Sequence, residues 1–197
     1  MSSVEMIPPS LIRRRSPPPG NFMIRSALAT IALLAATLVV TTPPAQAQPG
    51  DLVCLPPTSS TVTFSPPLTT TSQTATVTTT NLFGPCTSTS VPDITSGTFT
   101  GSYTVPNRSC LTLTGSGTST STITWNTGQT SSLTLNFTTT IVGAVYTSVV
   151  TGVVTGGLFA GDTVISNQTG PATDILLCTA GPGTVSSLHT IGTITFT

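Results

Sequence analysis

Threonine alternates with apolar residues along most of this chain, and that two-residue rhythm restricts it to strands. The runs include Thr61-Val62-Thr63-Phe64, Thr74-Ala75-Thr76-Val77-Thr78, Leu133-Thr134-Leu135-Asn136-Phe137 and Thr193-Ile194-Thr195-Phe196. In an extended chain, successive side chains point to opposite faces, so each run carries one oily face and one hydroxyl face. Threonine is β-branched and favours the extended backbone, which makes it a suitable outward residue on a half-buried strand. Related patterns occur at Thr98-Phe99-Thr100 through Tyr103 and Val105, at Leu111 to Thr114, at Thr122 to Trp125, and at Val145, Thr147, Val149, Thr151 and Val153. The valines, leucines and aromatics are expected against a core, with the threonines outside.

Breakers separate the runs. Pro56-Pro57, Pro66-Pro67, Pro85, Pro92, Pro106, Pro171 and Pro182 are expected between strands, where a missing N–H does not interrupt a ladder. Asn126-Thr127-Gly128-Gln129 is expected as a hairpin turn, with glycine at the position that needs positive φ. No helix-period segment of useful length follows residue 47. The fold class is therefore all-β: about eight to ten antiparallel strands in one domain, as an immunoglobulin-like sandwich or a closed barrel.

The front of the chain differs. Met23-Ile24-Arg25 leads into the 14-residue apolar run Ala27 to Val40, and Ala45-Gln46-Ala47 places small residues where a signal peptidase reads. The run falls short of the roughly 20 apolar residues that span a bilayer, so residues 23–47 are expected to be a signal peptide cleaved after Ala47. Residues 1–22, with Arg13-Arg14-Arg15 and Pro17-Pro18-Pro19, are expected to be a disordered leader or to precede the true start at Met23. The rest divides into an N-terminal arm at 48–58 and an all-β domain at 59–197, secreted and without a stable membrane anchor.

Charge narrows the function. The chain has 5 Lys+Arg and 5 Asp+Glu, no lysine, and one basic side chain after residue 25, Arg108. Arg108 against Asp51, Asp93, Asp162 and Asp174 leaves residues 48–197 at a net charge of −3 with His189 neutral. No basic face for nucleic acid can be assembled from one arginine. Lysine-based catalysis is excluded as well, and the absence of glutamate after residue 47 leaves paired-carboxylate glycoside hydrolysis unsupported.

Four cysteines remain after the signal: Cys54, Cys86, Cys110 and Cys178. An even count in an exported domain argues for two disulfides. A hairpin turning near Pro66-Pro67-Leu68 brings residue 54 opposite about residue 83, so Cys54 is expected to pair with Cys86, leaving Cys110 for Cys178. Zinc is disfavoured, because no Cys-x-x-Cys exists and there is one histidine. No cofactor is expected.

His189 is the single histidine, and a hydrolase of the Ser-His-Asp kind would need it, but no Gly-x-Ser-x-Gly elbow is present. Its place in the last run favours a hydroxyl-satisfied or exposed strand residue. Trp125 and Asp162 are the candidate ligand contacts. Trp125 beside its turn suits stacking on a ligand, or alternatively anchors the core. Asp162 in Gly157-Leu158-Phe159-Ala160-Gly161-Asp162 suits a ligand contact, or alternatively a turn. Arg108 is expected to pair with an aspartate.

The Trp125 to Ser131 hairpin, the Gly157 to Val164 segment and the widely spaced cysteines resemble small exported Thr/Gly-rich proteins of actinobacteria. That resemblance implies a secreted all-β domain and carries over no catalytic residue. At the level of class, the chain is also similar to enediyne chromoprotein carriers, which implies a sandwich with an apolar small-molecule cleft. The expected function is a non-enzymatic extracellular structural or interaction protein with an extracellular partner. The alternatives are a soluble carrier of a small apolar ligand and, third, a hydrolase using His189. A deep cleft lined by Phe, Leu and Val would favour the carrier.

Overall fold

The computed structural model describes residues 52–197. The expected leader at 1–22, the signal at 23–47 and residues 48–51 of the arm lie outside the described residues. The strands are β1 (Leu52–Cys54), β2 (Ser59–Leu68), β3 (Gln73–Phe83), β4 (Cys86–Ser88), β5 (Gly97–Arg108), β6 (Gly115–Trp125), β7 (Thr130–Val142), β8 (Val145–Gly157), β9 (Thr163–Pro171) and β10 (Val185–Phe196). A short helix α1 (Thr173–Thr179) precedes β10, and a 3-10 turn spans Cys110–Thr112.

Strands β2, β3 and β5 to β10 pair antiparallel in that order, and β10 returns to pair with β2. Of the two architectures open to the sequence, the chain adopts the closed eight-stranded barrel. Closure pairs the edges of β2 and β10 that an open sheet would leave free, and the pairing thins only between β5 and β6. β1 and β4 lie outside the ring. β1 pairs with the end of β10, Leu52 opposite Phe196 and Cys54 opposite Ile194, and on its other side with β4.

Several local expectations change. The segment expected as an arm contains β1, a strand of three residues held because partners flank it on both sides and Leu52 and Cys54 are fully buried. Leu111 and Thr112 belong to the 3-10 turn rather than to a strand. α1 is a true helix, seven residues long, with Ile175 and Cys178 buried. Not all prolines lie between strands: Pro66 and Pro67 fall within β2, past Ser65, the last residue paired to β3. Pro106 falls within β5, where the register slips between Ala75 opposite Val105 and Gln73 opposite Arg108. A bulge tolerates proline because the extra residue makes no ladder bond.

The inward faces form two apolar clusters. One contains Leu52, Phe83, Trp125, Phe159, Ile194 and Phe196. The other contains Phe64, Leu68, Val77, Leu113, Ile175 and Leu188, under α1. On β8 the Val145 to Val153 face turns outward, leaving Val145 46%, Val149 38% and Val153 44% exposed. Its inward face includes Tyr146, Val150 and Val154, opposite Ile141, Phe137 and Leu133 of β7.

Both expected disulfides are present, Cys54–Cys86 across the β1–β4 pair and Cys110–Cys178 between the 3-10 turn and α1. Two disulfides suit an oxidising compartment. Among the described residues, no helix is long and apolar enough to cross a membrane.

Candidate functional site

The interior of the barrel is not filled. A cavity of about 650 Å³ lies between the two apolar clusters. Phe83, Ile123 and Leu133 line it from one cluster, and Phe64, Val77 and Leu188 from the other. This volume falls within the range of small-molecule sites, roughly 300–1,000 Å³.

The cavity borders a seam that is largely unpaired. β5 and β6 exchange two residue pairs, Gly97 opposite Trp125 and Thr98 opposite Thr124, and then part. Beyond them, the rest of each strand stays unpaired along this edge. Tyr103, on the inward side of β5, is 49% exposed as a result. A second hollow shares Phe99, Tyr103, Ser121 and Leu133 with the cavity, but takes in the outward residues Thr122, Ser132 and Thr134. It is the outer side of the same seam.

Polar groups form a belt at the waist. Thr190, Ser60 and Asn81 stand in one row across β10, β2 and β3. On the adjoining wall, Thr190 Oγ1 donates to Gln168 Oε1 at 2.7 Å, and Ser166 Oγ donates to the Thr193 carbonyl at 2.8 Å. Thr190, Gln168 and Ser166 are thereby bonded within the wall. Asn81 Oδ1 is different: it is shielded from solvent and accepts no hydrogen bond. It is open to a donor from within the cavity.

Arg108 also lines the cavity, and the β5 bulge explains how. In a regular strand, residue 108 would share a face with Thr104 and point away from Val105. The extra residue at Pro106-Asn107, with Asn107 at φ 56, reverses the alternation. Arg108 is thereby placed opposite Gln73, on the face of β3 that carries Ala75 and Val77. Its Nη1 donates to the Thr112 carbonyl at 3.0 Å. The expected aspartate partner is missing: among the described residues, no carboxylate pairs with Arg108, and its Nε is buried without an acceptor.

Tyr146 lies beside this group. Burial pushes its phenol above the ordinary range, while the neighbouring Thr139 hydroxyl and the Arg108 charge pull the other way. Thr139 Oγ1 in turn faces the Leu113 carbonyl at 3.0 Å. One end of the cavity thus combines a cation, a neutral phenol and backbone carbonyls.

The residues singled out from sequence lie elsewhere. Trp125 is 2% exposed and belongs to the core, with Nε1 donating to Ser131 Oγ at 2.8 Å and its ring edge-on to Phe159 and Phe196. Asp162 is buried in the β8–β9 turn, where its amide donates to the Phe159 carbonyl at 3.1 Å. Neither lines the cavity. His189 is an exposed residue of β10 whose Nδ1 is 3.0 Å from the hydroxyl of Thr61, its register partner.

The polar waist did have a signal in the sequence. Thr79 and Asn81 continue the inward phase of Ala75, Val77 and Phe83, so two polar residues interrupt a face that is otherwise oily. Inward polar residues in a small barrel point to a hollow, since a filled core would leave them unpaired. Comparison with protein-family models, with curated proteins and with solved structures finds no match for this chain.

Proposed function

We propose that this is an exported, non-enzymatic carrier whose barrel holds a small, largely apolar ligand taken in between β5 and β6. The cavity of about 650 Å³ is the observation that carries this reading. Apolar walls supply affinity by removing ligand surface from water, and a few fixed polar groups orient what binds. The signal-like front of the chain and the two disulfides support export. The test is fluorescence titration with N-phenyl-1-naphthylamine, a neutral dye that brightens in apolar sites. Saturable binding to the wild type is expected, with loss of binding in Val150→Trp, which fills the hollow from β8. A wild type that leaves the dye dark would refute the carrier.

A second reading, an extracellular interaction protein, draws on one feature. Val145, Val149 and Val153 of β8 and Ile165 of β9 leave an exposed apolar patch on the outer wall. Sedimentation of the purified protein tests it: multimers that dissociate in Val149→Thr/Val153→Thr would support this role, and a monomer at all concentrations would oppose it.

A further inference from the structure

We propose that the ligand is an amphipathic anion, its apolar body in the barrel and its one acidic group, a carboxylate or sulfonate-like head, held by Arg108. The inference rests on the carrier reading and adds the chemistry of the head. Arg108 is the one Lys or Arg among residues 52–197. That single basic side chain lies on a cavity wall, and a bulge turns it there. Had it served only the surface, the regular alternation of β5 would have sufficed.

Among the described residues, no carboxylate answers its charge. Thr112 offers a carbonyl to Nη1, which is a dipole and not a counter-charge. Among the described residues, Asp93 and Asp174 are exposed, Asp162 lies in the β8–β9 turn, and none pairs with Arg108. The polar wall of β9 and β10 is already internally bonded. Tyr146, a phenol and so neutral near pH 7, stands next to the guanidinium and offers a hydroxyl rather than a competing anion. An entering acid therefore meets a cation without a rival, in surroundings less polar than water, where a charge-assisted hydrogen bond is stronger.

Two dyes that share one body test this. 8-Anilino-1-naphthalenesulfonate and N-phenyl-1-naphthylamine differ by a sulfonate. Wild type is expected to bind the sulfonate the more tightly, and added salt to weaken that dye alone. Arg108→Gln should lose about tenfold to a hundredfold in affinity for the sulfonate and far less for the neutral dye. Arg108→Lys, which keeps the charge, should retain most of the sulfonate binding and shows that the site itself survives substitution. Neutral-dye binding with sulfonate affinity equal in wild type and Arg108→Gln overturns the acid head and leaves the carrier standing. Failure of the neutral dye to bind wild type overturns the carrier, and the acid head that rests on it, together.

Discussion

Trp125 lays its indole directly over Gly97, its register partner across the β5–β6 seam: a Cβ built on Gly97 would stand 2.6 Å from Trp125 Cε3 and 3.0 Å from Ile123 Cγ2. The two strands pair here and at Thr98 opposite Thr124, so this contact closes the ring at one end of the opening. Glycine is required for the close approach of a large ring, since both neighbours are core side chains that cannot swing into solvent. Gly97→Val should cost about 1–3 kcal/mol and shift the emission of the single tryptophan to the red. Urea titration followed by fluorescence reads both, and an unshifted emission with unchanged stability would mean that the ring does not depend on this contact.

The indole also anchors a short relay. Trp125 Nε1 donates to Ser131 Oγ at 2.8 Å, and that hydroxyl donates to the Leu158 carbonyl at 2.6 Å, all within the core. Ser131→Ala would strand a donor and an acceptor together, each away from water. The expected cost is about 2 kcal/mol or more, since an unsatisfied buried group forfeits its full hydration. Trp125→Phe in the Ser131→Ala background should recover part of that loss by removing the orphaned N–H. A double-mutant cycle with strictly additive penalties would show the two groups to be uncoupled.

How far the sequence foretells this arrangement depends on the kind of interaction. The alternation of Thr76, Val77, Thr78 and their counterparts marks strands, because side-chain direction in a strand is fixed by parity alone. Cys54 pairing with Cys86 follows from extending one hairpin register, a local calculation. Arg108 escapes the same logic because a single extra residue in β5 inverts its parity, and bulges leave only a weak trace in composition, here Pro106-Asn107. The outward valines of β8 escape for another reason. Val149 and Val150 are both apolar, so the rhythm names two faces without saying which is inside. Trp125 is legible as an anchor or as a ligand platform, and only tertiary placement separates them. The cavity itself is a property of closure, visible beforehand only as polar Thr79 and Asn81 in an oily phase.

The Cys110–Cys178 bridge ties α1 to the 3-10 turn across a separation of 68 residues. α1 has seven residues and no side-chain N-cap, too short to persist without tertiary support. Removing the bridge by Cys110→Ser/Cys178→Ser should lower stability by about 2–4 kcal/mol. Loss of amide protection is expected first in α1, whose Ile175 covers one end of the barrel. Hydrogen exchange resolved by residue checks this. Uniform loss across β7 and β8 as well would mean that the bridge supports the whole barrel instead of its cap.

Alkaline stability should report on Tyr146. Its folded-state pKa is raised above 10.0, chiefly because burial disfavours the phenolate, with Thr139 and Arg108 opposing. A folded state that holds a proton more tightly than the unfolded chain keeps its full stability below the unfolded pKa and loses it as pH rises toward the folded value. The contribution of Tyr146 is therefore intact up to about pH 10 and declines above it. Denaturant midpoints at pH 8 and pH 11 should fall more steeply in wild type than in Tyr146→Phe, which has no phenol to ionise. Thr139→Val removes a hydroxyl that favours the phenolate, so its alkaline loss should be at least as steep as in wild type. A Tyr146→Phe variant with the same slope as wild type would assign the alkaline loss to other groups.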